Sequence, residues 1–233
     1  MEETIKIFIY IHAFFGGLGL ITGIGSSIVK KGSPIHKKFG KLFSIGMFTS
    51  SIISLPIACM PNHENPFLFL IGLFTIYLVL VGNRALTFKP KQKLEANNLD
   101  KLISGSMFVI SLLMIGLGLL GFIQKIDNSI LYLFFGGFGT LMTIKDFLFF
   151  KNFKEKKNAW LISHIGKISG ALIASVTAFI VAGLGLGNII SWILPSIIGT
   201  FYISYHSRKY KPKKNKKSRK LFTKKRLLSQ AVF

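Results

Sequence analysis

The sequence predicts an all-α, polytopic transmembrane helix bundle of about seven spans. Half of the 233 residues are hydrophobic and only 16% are charged. The apolar residues are gathered into runs long enough to cross a hydrocarbon core of about 30 Å. The basic residues are gathered beside and between those runs, a distribution that marks a membrane protein rather than a soluble domain of this length.

The seven runs are residues 7–29, 39–60, 67–86, 102–123, 130–150, 160–182 and 189–205. The seventh is the shortest and contains Pro195, and the second contains Pro56. Proline is tolerated in a spanning helix where neighbours satisfy the carbonyl that it frees. Met1-Glu2-Glu3 is acidic where a secretory signal is basic, and no small-x-small cleavage site follows, so the first run is expected to persist as a span. Between the first two runs, Pro34-Ile35-His36-Lys37-Lys38-Phe39-Gly40-Lys41 reads as a short basic hairpin.

The formal net charge of +22 is a topology signal before it is anything else. Of the thirty Lys and Arg residues, only Lys6 and Lys125 lie away from the first, third and fifth connections and the tail. Lysine and arginine concentrate on the cytoplasmic side, so the amino terminus is expected outside and the carboxyl terminus in the cytoplasm. The domain organisation that follows is a bundle over residues 1–207 and a basic tail over 208–233.

The opposite connections, residues 61–66, 124–129 and 183–188, are short and nearly neutral, too small for an extracellular ligand-binding domain. Cys59 is the one cysteine, which excludes an internal disulfide and a thiolate zinc site and leaves it as small apolar filler. The motifs HExxH, CxxC, GxSxG and the P-loop are missing. Gly183-x-Gly185-x-Gly187 follows no strand, so it is not a dinucleotide loop.

Two packing patterns stand out. Phe14-Phe15-Gly16-Gly17-Leu18-Gly19 matches Phe134-Phe135-Gly136-Gly137-Phe138-Gly139, and each is followed by a basic turn, a histidine and Gly-Lys. This suggests a parallel internal repeat in which His36 and His164 are equivalent. The competing explanation is coincidence in a chain with 23 Phe and 23 Gly. In the sixth run, Gly166, Gly170, Ala174, Ala178 and Ala182 recur every four residues, a small-residue face expected to make that span the buried centre of the bundle.

Ionisable groups in spans are expensive, so the histidines are the first candidates for chemistry. His12 lies about 27 Å along the helix from Lys30, which puts it on the outer side with His63 as a companion. His36, His164 and His206 fall at the opposite helix ends. Neutral imidazole is a good ligand for iron, so His36 and His164, with His206 nearby, are candidate metal or haem b ligands. A transport reading uses His12, Asn83, Arg84, Lys145 and Asp146 as a polar path. Against it, Asp146 beside Lys145 reads as a solvated carboxylate next to a snorkelling lysine, and no acid stands at the centre of a span. The tail residues Arg208, Lys209, Lys213, Lys214, Lys216 and Lys217 are expected to lie on anionic inner-leaflet lipid, each cation worth about 1 kcal/mol close to the surface. Tethering at the membrane favours lipid over nucleic acid.

Five pieces together resemble a family of bacterial multi-pass membrane proteins of unknown function. They are His12 in a Gly-rich first span, His36-x-x-x-Gly40-Lys41, and Asn83-Arg84-Ala85-Leu86 closing the third span. The other two are His164 ahead of the stretch from Gly170 to Phe179, and Trp192-Ile193-Leu194-Pro195-Ser196-Ile197-Ile198-Gly199. The resemblance covers most of residues 5–210 and implies a seven- or eight-helix bundle in the bacterial inner membrane, with no established activity. The functional expectation is a membrane redox or haem-binding component using the inner-face histidines. The alternatives are a small-solute transporter and a structural or regulatory membrane protein without chemistry.

Overall fold

The computed structural model describes residues 2–90 and 93–210. Within them the chain forms seven helices long and apolar enough to cross a membrane. They are α1 (Glu2–Ile28), α2 (Pro34–Ile57), α3 (Pro66–Arg84), α4 (Asn98–Ile123), α5 (Ser129–Asn152), α6 (Ala159–Ala178) and α7 (Ile189–Tyr210). A 3-10 turn, Ala85–Phe88, extends α3, and a π-helical turn, Phe179–Gly183, extends α6. No strand occurs among the described residues. Every predicted span is therefore a helix, and the protein is a multi-pass membrane protein by length and composition.

The caps explain where the helices begin. Ser33 caps α2, accepting the backbone N–H of His36, with Pro34 in the first turn where its missing N–H is harmless. The stretch from Pro34 to Lys41 is thus the first two turns of α2, not a hairpin; the reversal itself is at Gly32, whose φ of +79° suits glycine. Asn65 caps α3 ahead of Pro66, and Asn97 with Asp100 forms a reciprocal capping box at the start of α4.

The bundle has one central helix, and it is α3. More than half of its apolar window is buried (56%), twice the share of any other helix. It packs on α2, α4 and α6. The small-residue stripe of α6 does not make that helix central: Gly170 is buried, whereas Ala178 and Ala182 are exposed and nothing approaches Gly166 within 4 Å. The buried face of α6 is instead Lys167, Gly170, Ala171, Ser175 and Thr177. Cys59, expected as filler, is exposed in the turn after α2.

The Gly-rich motifs each seat a neighbouring helix. Gly46 of α2 fits against the carbonyl of Phe15 and the backbone of Gly19 in α1, while Gly136 and Gly139 of α5 receive Ser111 and Ile115 of α4. These contacts make α1 with α2, and α4 with α5, the most extensive helix pairs. The core between them runs from an aromatic group, Phe67, Tyr132, Phe135 and Trp192, through Phe74, Leu78, Met107 and Met114. That aromatic group lies toward the end of the bundle with the short neutral connections. The lysine-bearing connections and the end of α7 define the other, basic end.

Candidate functional site

About 9 to 12 Å in from the basic ends of their helices, four side chains converge at one depth. Tyr77 comes from α3, Ser104 from α4, Asp146 from α5 and Lys167 from α6. All four are buried, Asp146 at 2% exposure and Lys167 at 6%. Lys167 Nζ lies 2.9 Å from Asp146 Oδ1 and 3.0 Å from Oδ2. The Tyr77 hydroxyl donates to Asp146 Oδ2 at 2.5 Å and accepts from Lys167, and Ser104 Oγ donates to the same carboxylate oxygen at 3.2 Å. Lys167 also donates to the carbonyl of Met142 at 3.2 Å and sits 4.5 Å from the Tyr77 ring centroid. Each ammonium proton thus has an acceptor, and the carboxylate has donors from three other helices.

A buried pair of this kind survives only with good geometry and full hydrogen bonding, because desolvating each ion costs several kcal/mol. Here backbone packing supplies the geometry. Gly82 has no side chain, so α6 comes close: a Cβ there would meet Ile168 and, at 3.1 Å, the Cβ of Lys167. The close approach of α6 to α3 delivers Lys167 to Tyr77 and also lets His164 Nδ1 reach the Gly82 carbonyl at 2.8 Å.

Asp146 is therefore not a solvated carboxylate: it is buried, six residues in from the basic end of α5 rather than at the centre of the span. Lys167 belongs to the packed interior and not to the basic connection. Lys145, next along α5, turns outward to an exposed position. The path through His12, Asn83, Arg84, Lys145 and Asp146 does not form. Asn83 bonds the Val79 carbonyl and Ser44, and Arg84 bonds Asp100 and Asn97.

The histidines divide as follows. His12 Nδ1 lies 2.9 Å from the Ser50 carbonyl, and Ser50 Oγ donates back to the His12 carbonyl at 3.0 Å, a clamp between α1 and α2. His63 is exposed in the next connection, with only the Pro61 carbonyl at 3.4 Å, and shares no contact with His12. His36 Nδ1 lies 3.0 Å from the Ser26 carbonyl, which also receives Lys31 Nζ at 2.9 Å. His206 packs on Tyr202 and Tyr205, with ring centroids at 4.4 and 5.4 Å. His36 and His164 are within electrostatic range of one another. Among the described residues no three His, Cys, Asp or Glu side chains group as metal ligands. Arg208 and Lys209 are exposed at the end of α7, and Lys213, Lys214, Lys216 and Lys217 lie outside the described residues.

A second ionic group sits at the basic mouth of the bundle. Asp100 accepts from Arg84 Nε at 2.6 Å and from Lys93, and Lys93 lies 4.3 Å over the Phe88 ring. Beneath it a cavity of about 10 Å³, enough for one water, is bounded by Val81, Arg84, Phe88, Asp100, Phe149 and Ser163.

No protein-family model, curated protein or solved structure matches the chain. The reading of function therefore rests on these side chains.

Proposed function

We propose that the protein is an integral membrane protein that moves protons through its bundle, with Lys167 and Asp146 as the proton-binding centre. The observation that carries this is the buried ammonium–carboxylate pair, bonded to a phenol and a hydroxyl and built from four helices. Ionisable groups inside a membrane bundle mark ion and proton pathways more often than they mark simple scaffolding. The pair also has two states of equal net charge. A proton shifted from Lys167 to Asp146 leaves amine and carboxylic acid, and the Tyr77 hydroxyl touches both groups. On the orientation that the lysine bias supports, the cluster lies on the cytoplasmic side of the aromatic group and exchanges protons with the cytoplasm.

The test is proton flux into proteoliposomes under a potassium-diffusion potential, read with an entrapped pH-sensitive dye. Wild-type protein accelerates flux over protein-free vesicles, and Asp146→Asn and Lys167→Met abolish the increment. Wild-type flux no faster than that of empty vesicles overturns the reading.

A second reading, a haem-binding redox component, is favoured by the tautomers. The Nδ1 atoms of His36 and His164 face backbone carbonyls and so carry the proton, which leaves Nε2 of each with its lone pair. That is the arrangement an imidazole adopts as an iron ligand. Purified protein expressed with ample haem then shows a Soret band, lost in His36→Ala and His164→Ala; colourless protein rejects it.

A further inference from the structure

Resting on the proton-transfer reading, we infer that His164 is the relay that passes protons between the basic end of the bundle and the Lys167–Asp146 centre. His164 and Lys167 are three residues apart on α6, so they share a face, with His164 one turn nearer the basic end. Both are set by the same feature of α3. The bare backbone of Gly82 takes the Lys167 stem against it and offers its carbonyl to His164 Nδ1 at 2.8 Å. Nδ1 is thereby committed as a donor, and Nε2 has no protein partner among the described residues.

The step balances on one nitrogen. Nε2 takes a proton from water at the basic end, giving imidazolium. It then yields that proton to the Lys167 amine, present once Lys167 has protonated Asp146, and the ring returns to its neutral form still bonded to Gly82. Tyr77 is a phenol and Ser104 an alcohol, whereas an imidazole can take up a proton on one nitrogen and release it again while the other stays bonded. The charged groups acting on His164 from other segments are His36 of α2 and Lys89 of the segment after α3, while Lys167, three residues on along α6, directs its Nζ to Tyr77, Asp146 and Met142. On α7, His206 has Lys209 of its own helix and Lys31 of the α1–α2 turn as charged neighbours. Toward the neutral end the cluster borders the apolar core that includes Phe74, Leu78, Met107 and Met114.

Two variants separate the roles of this ring. His164→Gln keeps an N–H for the Gly82 carbonyl but cannot carry a proton, and His164→Ala leaves space for free imidazole. Both are expected to lower proteoliposome flux at least tenfold, since a positioned proton-transfer group contributes about 10²–10⁴ in rate. Added imidazole restores flux in His164→Ala and not in His164→Gln. Unfolding temperatures in detergent identify any variant that has lost its fold, and the Gln variant covers a failure of the Ala variant. Unchanged flux in both variants, with Asp146→Asn inactive, overturns the relay and leaves the proton-transfer reading intact. A flux loss in His164→Ala that imidazole does not restore, with His164→Gln at wild-type rate, makes the ring a structural pin and also overturns the relay. Absence of flux in wild type overturns both.

Discussion

Lys167 of α6 holds both carboxylate oxygens of Asp146 of α5, at 2.9 and 3.0 Å, with neither side chain more than 7% exposed. Such a pair is bonded tightly and yet need not stabilise the protein relative to an apolar pair. Removing one partner strands the other's charge in the core. Asp146→Leu or Lys167→Met is therefore expected to cost about 3–5 kcal/mol, while the double substitution Asp146→Leu with Lys167→Met costs less than either single change. Unfolding of the four proteins in one detergent checks it. Additive losses in the double variant mean that the two residues are not coupled.

Tyr77→Phe removes one hydroxyl and keeps the ring. Lys167 retains Asp146 and the Met142 carbonyl, and Asp146 retains Lys167 and Ser104. The expected loss is about 1–3 kcal/mol, smaller than for breaking the ion pair. Ser104→Ala, which removes a 3.2 Å bond, is expected to cost about 1 kcal/mol. The order Asp146→Leu, Tyr77→Phe, Ser104→Ala in falling unfolding temperature loss is the observable; Ser104→Ala costing most would contradict the geometry.

The architecture was legible in the sequence and the centre was not. Runs of apolar residues dictate helices because a bilayer leaves the backbone no other partner, so all seven spans could be read directly. The signal for the centre was present: Lys167 stands alone in an apolar run, eight residues into its helix, and Asp146 stands six residues inside the end of α5. Adjacency misled in both places. Lys145 made Asp146 look like part of a solvated charge pair, and the basic connection before α6 absorbed Lys167. What joins them is a contact between residues 21 apart in sequence, made where α6 packs closely on Gly82 of α3, and no one-dimensional pattern encodes that. The stripe of small residues on α6 misled for a related reason, since small residues permit close approach without saying which helix approaches.

The glycines of the first two helices are not equivalent despite similar surroundings in sequence. A Cβ at Gly46 would lie 2.8 Å from the Phe15 carbonyl and 2.9 Å from the Gly19 nitrogen, both backbone atoms that cannot give way without separating α1 from α2. A Cβ at Gly17 meets nothing within 4 Å. Gly46→Ala is expected to cost about 1–3 kcal/mol through overpacking. Gly17→Ala is expected to be neutral or to gain about 0.5–1 kcal/mol from helix propensity. Parallel thermal unfolding of the two variants decides it, and equal melting temperatures would refute the close packing of α1 on α2.

Asp100 ties the α3–α4 connection to the bundle in three ways at once. It pairs with Arg84 at 2.6 Å and with Lys93, and its carboxylate receives the backbone N–H of Asn97 at 3.0 Å to complete the capping box. Lys93 in turn lies over Phe88, which is wedged among Phe149, Phe150 and Phe153 of α5 and its end. Asp100→Ala removes the carboxylate from each of these bonds while leaving the spans themselves uncut. The cap alone accounts for about 1 kcal/mol, and the loss of a paired charge adds to it. The consequence is local: trypsin should cut after Lys93, which precedes Leu94, faster in Asp100→Ala than in wild type, while the helices stay protected. Fragment masses from a timed digestion give the site directly. Unaltered cleavage there would mean that the aromatic wedge around Phe88, not the carboxylate, holds the connection in place.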